Sequence, residues 1–226
     1  MPLTGEEEFP QNTSSQTLGE LIESVALHIG KSNSSALKPR IRGAILNSIR
    51  KMNRRRWNFT RAFDVITLKQ DTPNYPLQGN VNKTYACTVM QATDSNEIEY
   101  RVRYVDYRTF LYQYRISASP TKPYVYTHRS LYADGEIIFY PKPSPQYFDR
   151  LVRVHYSKMI PLPAKEGEYL EIPSWAEGVI YWSAVAELHI SVNQNVELYT
   201  AARREERAAF IEARGADYEE SDDNQI

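Results

Sequence analysis

The side chains best suited to chemistry in this sequence are four histidines and a single cysteine: His28, His128, His155, His189 and Cys87. Metal ligation needs such groups in tight pairs, as in HExxH or CxxC, and a thiol nucleophile needs a neighbouring base. Here the five are scattered over separate stretches with no paired spacing. Neither a glycine-rich phosphate loop nor a G-x-S-x-G elbow is present. The expectation is a protein that is not an enzyme, with no catalytic residue, no cofactor and no metal.

Charge is the stronger signal. Lys38, Arg40, Arg42, Arg50, Lys51, Arg54, Arg55 and Arg56 fall in one stretch, and no acidic residue lies between Glu23 and Asp64. Arg50 with Arg54 and Lys51 with Arg55 sit four apart, and each such pair on a helix costs roughly 0.2–0.5 kcal/mol. An uncompensated stripe of this kind suits an acidic partner, a polyanion, or plain solvation. The matching acid lies at the chain's ends, Glu6 to Glu8 and Asp217, Tyr218, Glu219, Glu220, Asp222 and Asp223. We expect Arg50, Lys51, Arg54, Arg55 and Arg56 to meet the acidic tail of a neighbouring copy or the arm at Glu6 to Glu8, or a partner protein. A second candidate is Tyr100–Arg115, where four arginines alternate with five tyrosines. It reads either as a stacking platform for nucleic acid or as an amphipathic strand and short helix whose aromatics pack.

These residues need elements to position them. Thr17 and Glu20 make a capping box ahead of Leu18, Leu21, Ile22, Val25 and Ile29, so a helix runs to Gly30. After a serine-rich loop, Ile41, Ile45, Ile49 and Met52 line one face of the basic helix, with Pro39 in its first turn. Trp57 and Phe59 follow. From residue 59 to 172 the texture is β: strands are predicted over 59–68, 85–91, 97–105, 124–131, 136–140 and 151–158, with a short helix over 106–115. Asp134-Gly135 is expected as a hairpin turn. Ser174 and Glu177 predict a second capping box before an apolar helix carrying Trp175 and Trp182. A final helix is expected to stop at Gly215.

The predicted fold is α+β: a helical bundle built from N- and C-terminal helix pairs with an inserted antiparallel β domain. Its parts are a flexible arm (1–16), the bundle (17–58 with 173–214), the β domain (59–172) and an acidic tail (215–226). Trp57, Phe59, Trp175 and Trp182 are its expected anchors, with Trp57 and Trp182 joining the helix pairs. The 226 residues suffice for one elaborated core or two small ones, and the net charge is only −1. No apolar run approaches the ~20 residues of a membrane span, and no secretory leader is read at the start. Seventeen tyrosines suit half-wet interfaces.

Certain words in this order resemble the head-to-tail adaptor (head completion or connector) proteins of short-tailed bacteriophages and their relatives. They are LGELIESV at 18–25, AILNSIRKMNRRRWNF at 44–59, NYPL at 74–77, PYVY at 123–126, EIIFYPKPSP at 136–145, VRVHYSKMIPLP at 152–163 and YLEIPSWAEGVIYWSAVAEL at 169–188. In that family a proline follows the first tyrosine-leucine pair; here Pro76 stands between Tyr75 and Leu77. The resemblance implies a dodecameric ring of copies bound to the portal protein dodecamer, with a downstream tail or nozzle protein beyond it. Double-stranded DNA would pass through the lumen without sequence-specific binding. It further implies a virion protein at the head–tail junction, made in the host bacterial cytoplasm, with no membrane partner. The alternative is a nucleic-acid-binding module using residues 38–56 and 100–115.

Overall fold

The computed structural model describes residues 14–31, 34–69, 72, 74–77, 80–91, 98–114, 119–131 and 134–222. They group into two compact units, residues 60–159 and residues 14–59 with 160–222.

In the first unit, seven strands form one sheet: β1 (Arg61–Thr67), β2 (Asn74–Pro76), β3 (Val81–Met90), β4 (Ile98–Tyr104), β5 (Val125–Leu131), β6 (Asp134–Tyr140) and β7 (Leu151–Lys158). Their order is β1-β7-β3-β4-β5-β6-β2. The Tyr75 hydroxyl of β2 accepts the Lys69 amide at 2.9 Å and donates to the Lys69 carbonyl at 3.3 Å. Lys69 lies just beyond β1, so the two ends of the strand order meet and the sheet nearly closes into a barrel. Val89, Val102, Tyr126, Ile137, Phe139, Val152 and Val154 fill it.

This overturns the expected helical bundle with an inserted antiparallel β domain. The sheet is mixed, because β4 and β5 run parallel, Arg103 opposite Val125 and Tyr104 opposite Tyr126. A parallel neighbour requires a crossover of a dozen or more residues. Residues 105–124 supply it, carrying the helix α3 (Tyr107–Gln113), with Asp106 accepting the Thr109 amide at 2.9 Å as its cap. Alternating side chains define a strand's faces but not its neighbours' direction, so the sequence pattern could not expose the parallel pair. Asp134 and Gly135 are also displaced from the expected turn: they sit within β6, opposite Leu131 and Ser130, and the connection at 132–133 lies outside the described residues. A Cβ at Gly135 would meet His128 Nε2 at 2.8 Å, so close packing is what glycine serves there.

The second unit holds α1 (Leu18–His28), α2 (Lys38–Asn53), α4 (Glu177–Ser191) and α5 (Val196–Asp222). Thr17 and Glu20 close the expected capping box, and Gly30 leaves α1 at φ +70. Ile41, Ile45, Ile49 and Met52 of α2 are buried together with Leu18, Leu21, Ile22 and Val25. Residues 160–172, read from the sequence with the β stretch, run through this unit instead, burying Ile160, Leu170 and Ile172 in its core. Their carbonyls satisfy amides that α1 leaves open: Leu18 N–H reaches Glu168 O at 2.9 Å and Gly19 N–H reaches Glu166 O at 2.8 Å. A Cβ at Gly19 would stand 3.1 Å from that Glu166 oxygen. Asn53 fastens the other end, donating to Ile160 O at 2.9 Å and accepting Ile160 N–H at 2.7 Å.

Two helix ends differ from expectation. Ser174–Ala176 forms a 3-10 turn whose Ala176 amide bonds Pro173 O at 2.9 Å, and no side chain caps α4, so the second capping box is not made. Gly215 does not stop α5, which continues to Asp222. A helical glycine costs only about 1 kcal/mol relative to alanine. Asp217, two residues on, offsets that cost with bonds described below.

Candidate functional site

The C-terminal half of α2 and the turn after it carry the expected basic residues, and the structure brings only some of them to one place. Lys51 pairs with Glu187 of α4 at 3.3 Å and reaches Ser183 Oγ at 3.4 Å. Arg55 lays its guanidinium 4.0 Å above the Phe210 ring of α5. Arg50 bonds its own helix, at Asn47 Oδ1, 2.8 Å away. Arg56 is exposed, and its carbonyl accepts from Arg214. Arg54, also exposed, has no ion pair among the described residues.

α2 with the turn that follows it, α4 and α5 line a half-open cavity of about 510 Å³. Its floor is Met52, Trp57, Val179 and Phe210, with the hydroxyls of Ser48 and Ser183. Its rim is cationic: Lys51 of α2 with Arg54 and Arg55 of the turn that follows it, and Arg203 and Arg207 from α5. The one acid is Glu206, paired with Arg203, and this hydrogen bond holds Arg203 above its ordinary pKa. Arg207, like Arg54, has no ion pair among the described residues. Arg203, Glu206 and Arg207 are not among the interface residues expected from the sequence. The four-residue step from Arg203 to Arg207, one turn on the same face, was the available signal for this half of the site.

The aromatic anchors divide. Trp57 is 1 % exposed, donates Nε1–H to Met52 O at 3.2 Å, and lies 5.9 Å from Phe59, 6.2 Å from Trp175 and 5.6 Å from Phe210. Trp182 is not at that centre. It is half-buried, beside His28 at 5.1 Å and Tyr181 at 5.1 Å, while the inward positions of α4 go to Val179, Ile180, Ala184 and Val185.

The acidic tail also divides. Asp217 is 1 % exposed and is consumed inside its own chain, so it is no free interface group. Its carboxylate accepts Asn58 N–H at 2.8 and 3.0 Å, Phe59 N–H at 3.0 Å and the Arg214 guanidinium at 3.3 Å. Three donors converge there because the chain turns sharply after α2 and leaves amides open. Tyr218 is 62 % exposed. The side chains of Glu219, Glu220 and Asp222, and all of Asp223, lie outside the described residues, as do Glu6 to Glu8.

The Tyr/Arg segment forms β4 and α3. Tyr100, Tyr107 and Tyr114 are half-buried: Lys122 Nζ lies 3.7 Å over the Tyr100 ring, Arg129 stands 5.9 Å from Tyr107, and Tyr114 accepts from Arg103 at 2.7 Å. Only Tyr104 and Tyr112 of the five are largely exposed. Cys87 is 1 % exposed, and burial pushes its thiol pKa up, away from the nucleophilic thiolate. Burial also lowers the pKa of His128. Among the described residues no three His, Cys, Asp or Glu side chains stand close enough to hold a metal ion, and no helix is long and apolar enough to cross a membrane. No protein-family model and no curated protein matches the chain.

Proposed function

We propose that this chain is a structural adaptor of a tailed bacteriophage virion. It acts at the head–tail junction as a dodecameric ring bound to the portal dodecamer and continues the DNA channel toward a tail or nozzle protein. Its action is geometric and involves no catalysed reaction. The ordered resemblance across residues 18–188 motivates the reading. The structural observation that carries it is the exposed apolar surface around α3, where Leu111 (57 %), Tyr112 (78 %), Tyr104 (48 %) and Tyr124 (51 %) remain accessible. Large apolar and tyrosine side chains left in water on crossover and strand surfaces suit subunit interfaces.

Native mass spectrometry of the chain mixed with the portal protein of the same genome tests it. A complex of matched twelvefold stoichiometry supports the adaptor. No complex, together with binding to duplex DNA that weakens steeply with salt, replaces it with the nucleic-acid-binding module, because counterion release gives such binding its salt dependence.

A further inference from the structure

The cavity between α2, α4 and α5 combines three properties that together specify an occupant. Its volume, about 510 Å³, suits a few side chains rather than a single ion. Its floor is apolar and aromatic, with Trp57 and Phe210 disposed edge-to-face at 5.6 Å. Its rim carries five cations against one acid, and Arg54, at the end of α2, and Arg207, on α5, have no ion pair among the described residues.

The backbone around the rim argues against a compact phosphate. Phosphate sites use helix N-termini, whose open amides and positive dipole end face the ligand. Here Lys51, Arg54 and Arg55 stand at the C-terminal end of α2, where open carbonyls carry the opposite partial charge. Long side chains carry the positive charge outward from two helices, which suits carboxylates spaced along a peptide. An aromatic side chain on that peptide would pack beside Arg55 against the half-buried Phe210, which rests on the buried Trp57.

The sequence contains such a word, Glu6-Glu7-Glu8-Phe9, at positions outside the described residues. The other acidic run belongs to α5, and its Asp217 is already held by Asn58, Phe59 and Arg214. We propose that the cavity is a docking site for the Glu6–Phe9 segment of a second copy of this chain: glutamates pair with Arg54 and Arg207, and Phe9 fills the apolar floor. This deepens the adaptor reading and rests on its premise that copies associate.

The test measures fluorescence anisotropy of a labelled synthetic peptide of residues 4–12 titrated with the full chain. Saturable binding is expected, weakening by about tenfold or more in the exposed-residue variant Arg54→Glu/Arg207→Glu, whose circular dichroism and melting should match the parent. A Phe9→Ser peptide should also lose affinity. Charge exchange reports on whole chains. Arg54→Glu/Arg207→Glu protein should associate with Glu6→Lys/Glu7→Lys/Glu8→Lys protein, in sedimentation of the mixture, better than either associates with itself. Equal peptide binding by the reversed-charge variant, equal binding of a peptide of residues 216–226, or no saturable peptide binding, whether or not labelled duplex DNA binds, would overturn the proposal. Loss of portal association with peptide binding intact would count against the adaptor reading alone.

Discussion

Asp217→Ala removes a carboxylate that closes the turn after α2, and its cost follows from the groups it leaves behind. Asn58 is buried, so its amide loses both acceptor oxygens with no water to replace them, about 1–3 kcal/mol. The half-buried Phe59 amide adds a smaller penalty, about 1 kcal/mol. The Arg214 pair adds little, since Arg214 is 39 % exposed and rehydrates. The bond from Asn58 Nδ2 to the Asp217 carbonyl survives the substitution, and alanine favours the helix slightly. The sum is about 3 kcal/mol, more than a hundredfold in the folding constant. Asp217→Asn keeps one acceptor and the shape, and should lose about half of that. All three tryptophans, Trp57, Trp175 and Trp182, lie in the helical unit, so urea unfolding followed by tryptophan fluorescence reads this unit directly. A loss below about 1 kcal/mol for Asp217→Ala would refute the claim that this carboxylate, rather than backbone geometry, satisfies the turn.

Trp57→Ala should cost about 3–5 kcal/mol, whereas half-buried Trp182→Ala should cost about 1–2 kcal/mol and leave soluble protein; comparing their urea midpoints checks the ranking. His189 is 4 % exposed, and burial first and the nearby His28 second lower its pKa from the usual 6.5. The unfolded chain therefore takes up its proton first as the pH falls. The stability this group contributes is complete above 6.5 and is lost as the pH drops from there through the folded value. Urea midpoints by tryptophan fluorescence at about pH 7.5 and about pH 5.5 should fall, and His189→Gln should flatten the change. Cys87, the sole cysteine, sits in the sheet unit, so an aromatic disulfide reagent should react with it only as that unit unfolds; fast labelling of native protein would contradict its burial.

Much of the local structure was legible along the chain. The Thr17–Glu20 box, the apolar stripe of α2, the strand at 151–158 and the short helix after Asp106 each depend on interactions spanning a few residues, which periodicity and cap chemistry report directly. The basic residues of the candidate site were legible for the same reason: charge is a property of single positions.

What the sequence could not disclose involves partners far apart in it. The parallel β4–β5 pair turns an expected antiparallel insert into a nearly closed mixed barrel, because alternation is identical for either strand direction. Arg203 and Arg207 became part of a cavity only when α5 packed on α2 and α4. Asp217 changed from a presumed free acid to a buried cap because the open amides it serves belong to Asn58 and Phe59, more than 150 residues earlier. By itself the sequence determined which residues are apolar, charged or able to cap. The tertiary structure decided which charges meet, since only chain reversal over long distances brings a donor to an acceptor, and burial then makes an unmet donor too costly to leave open.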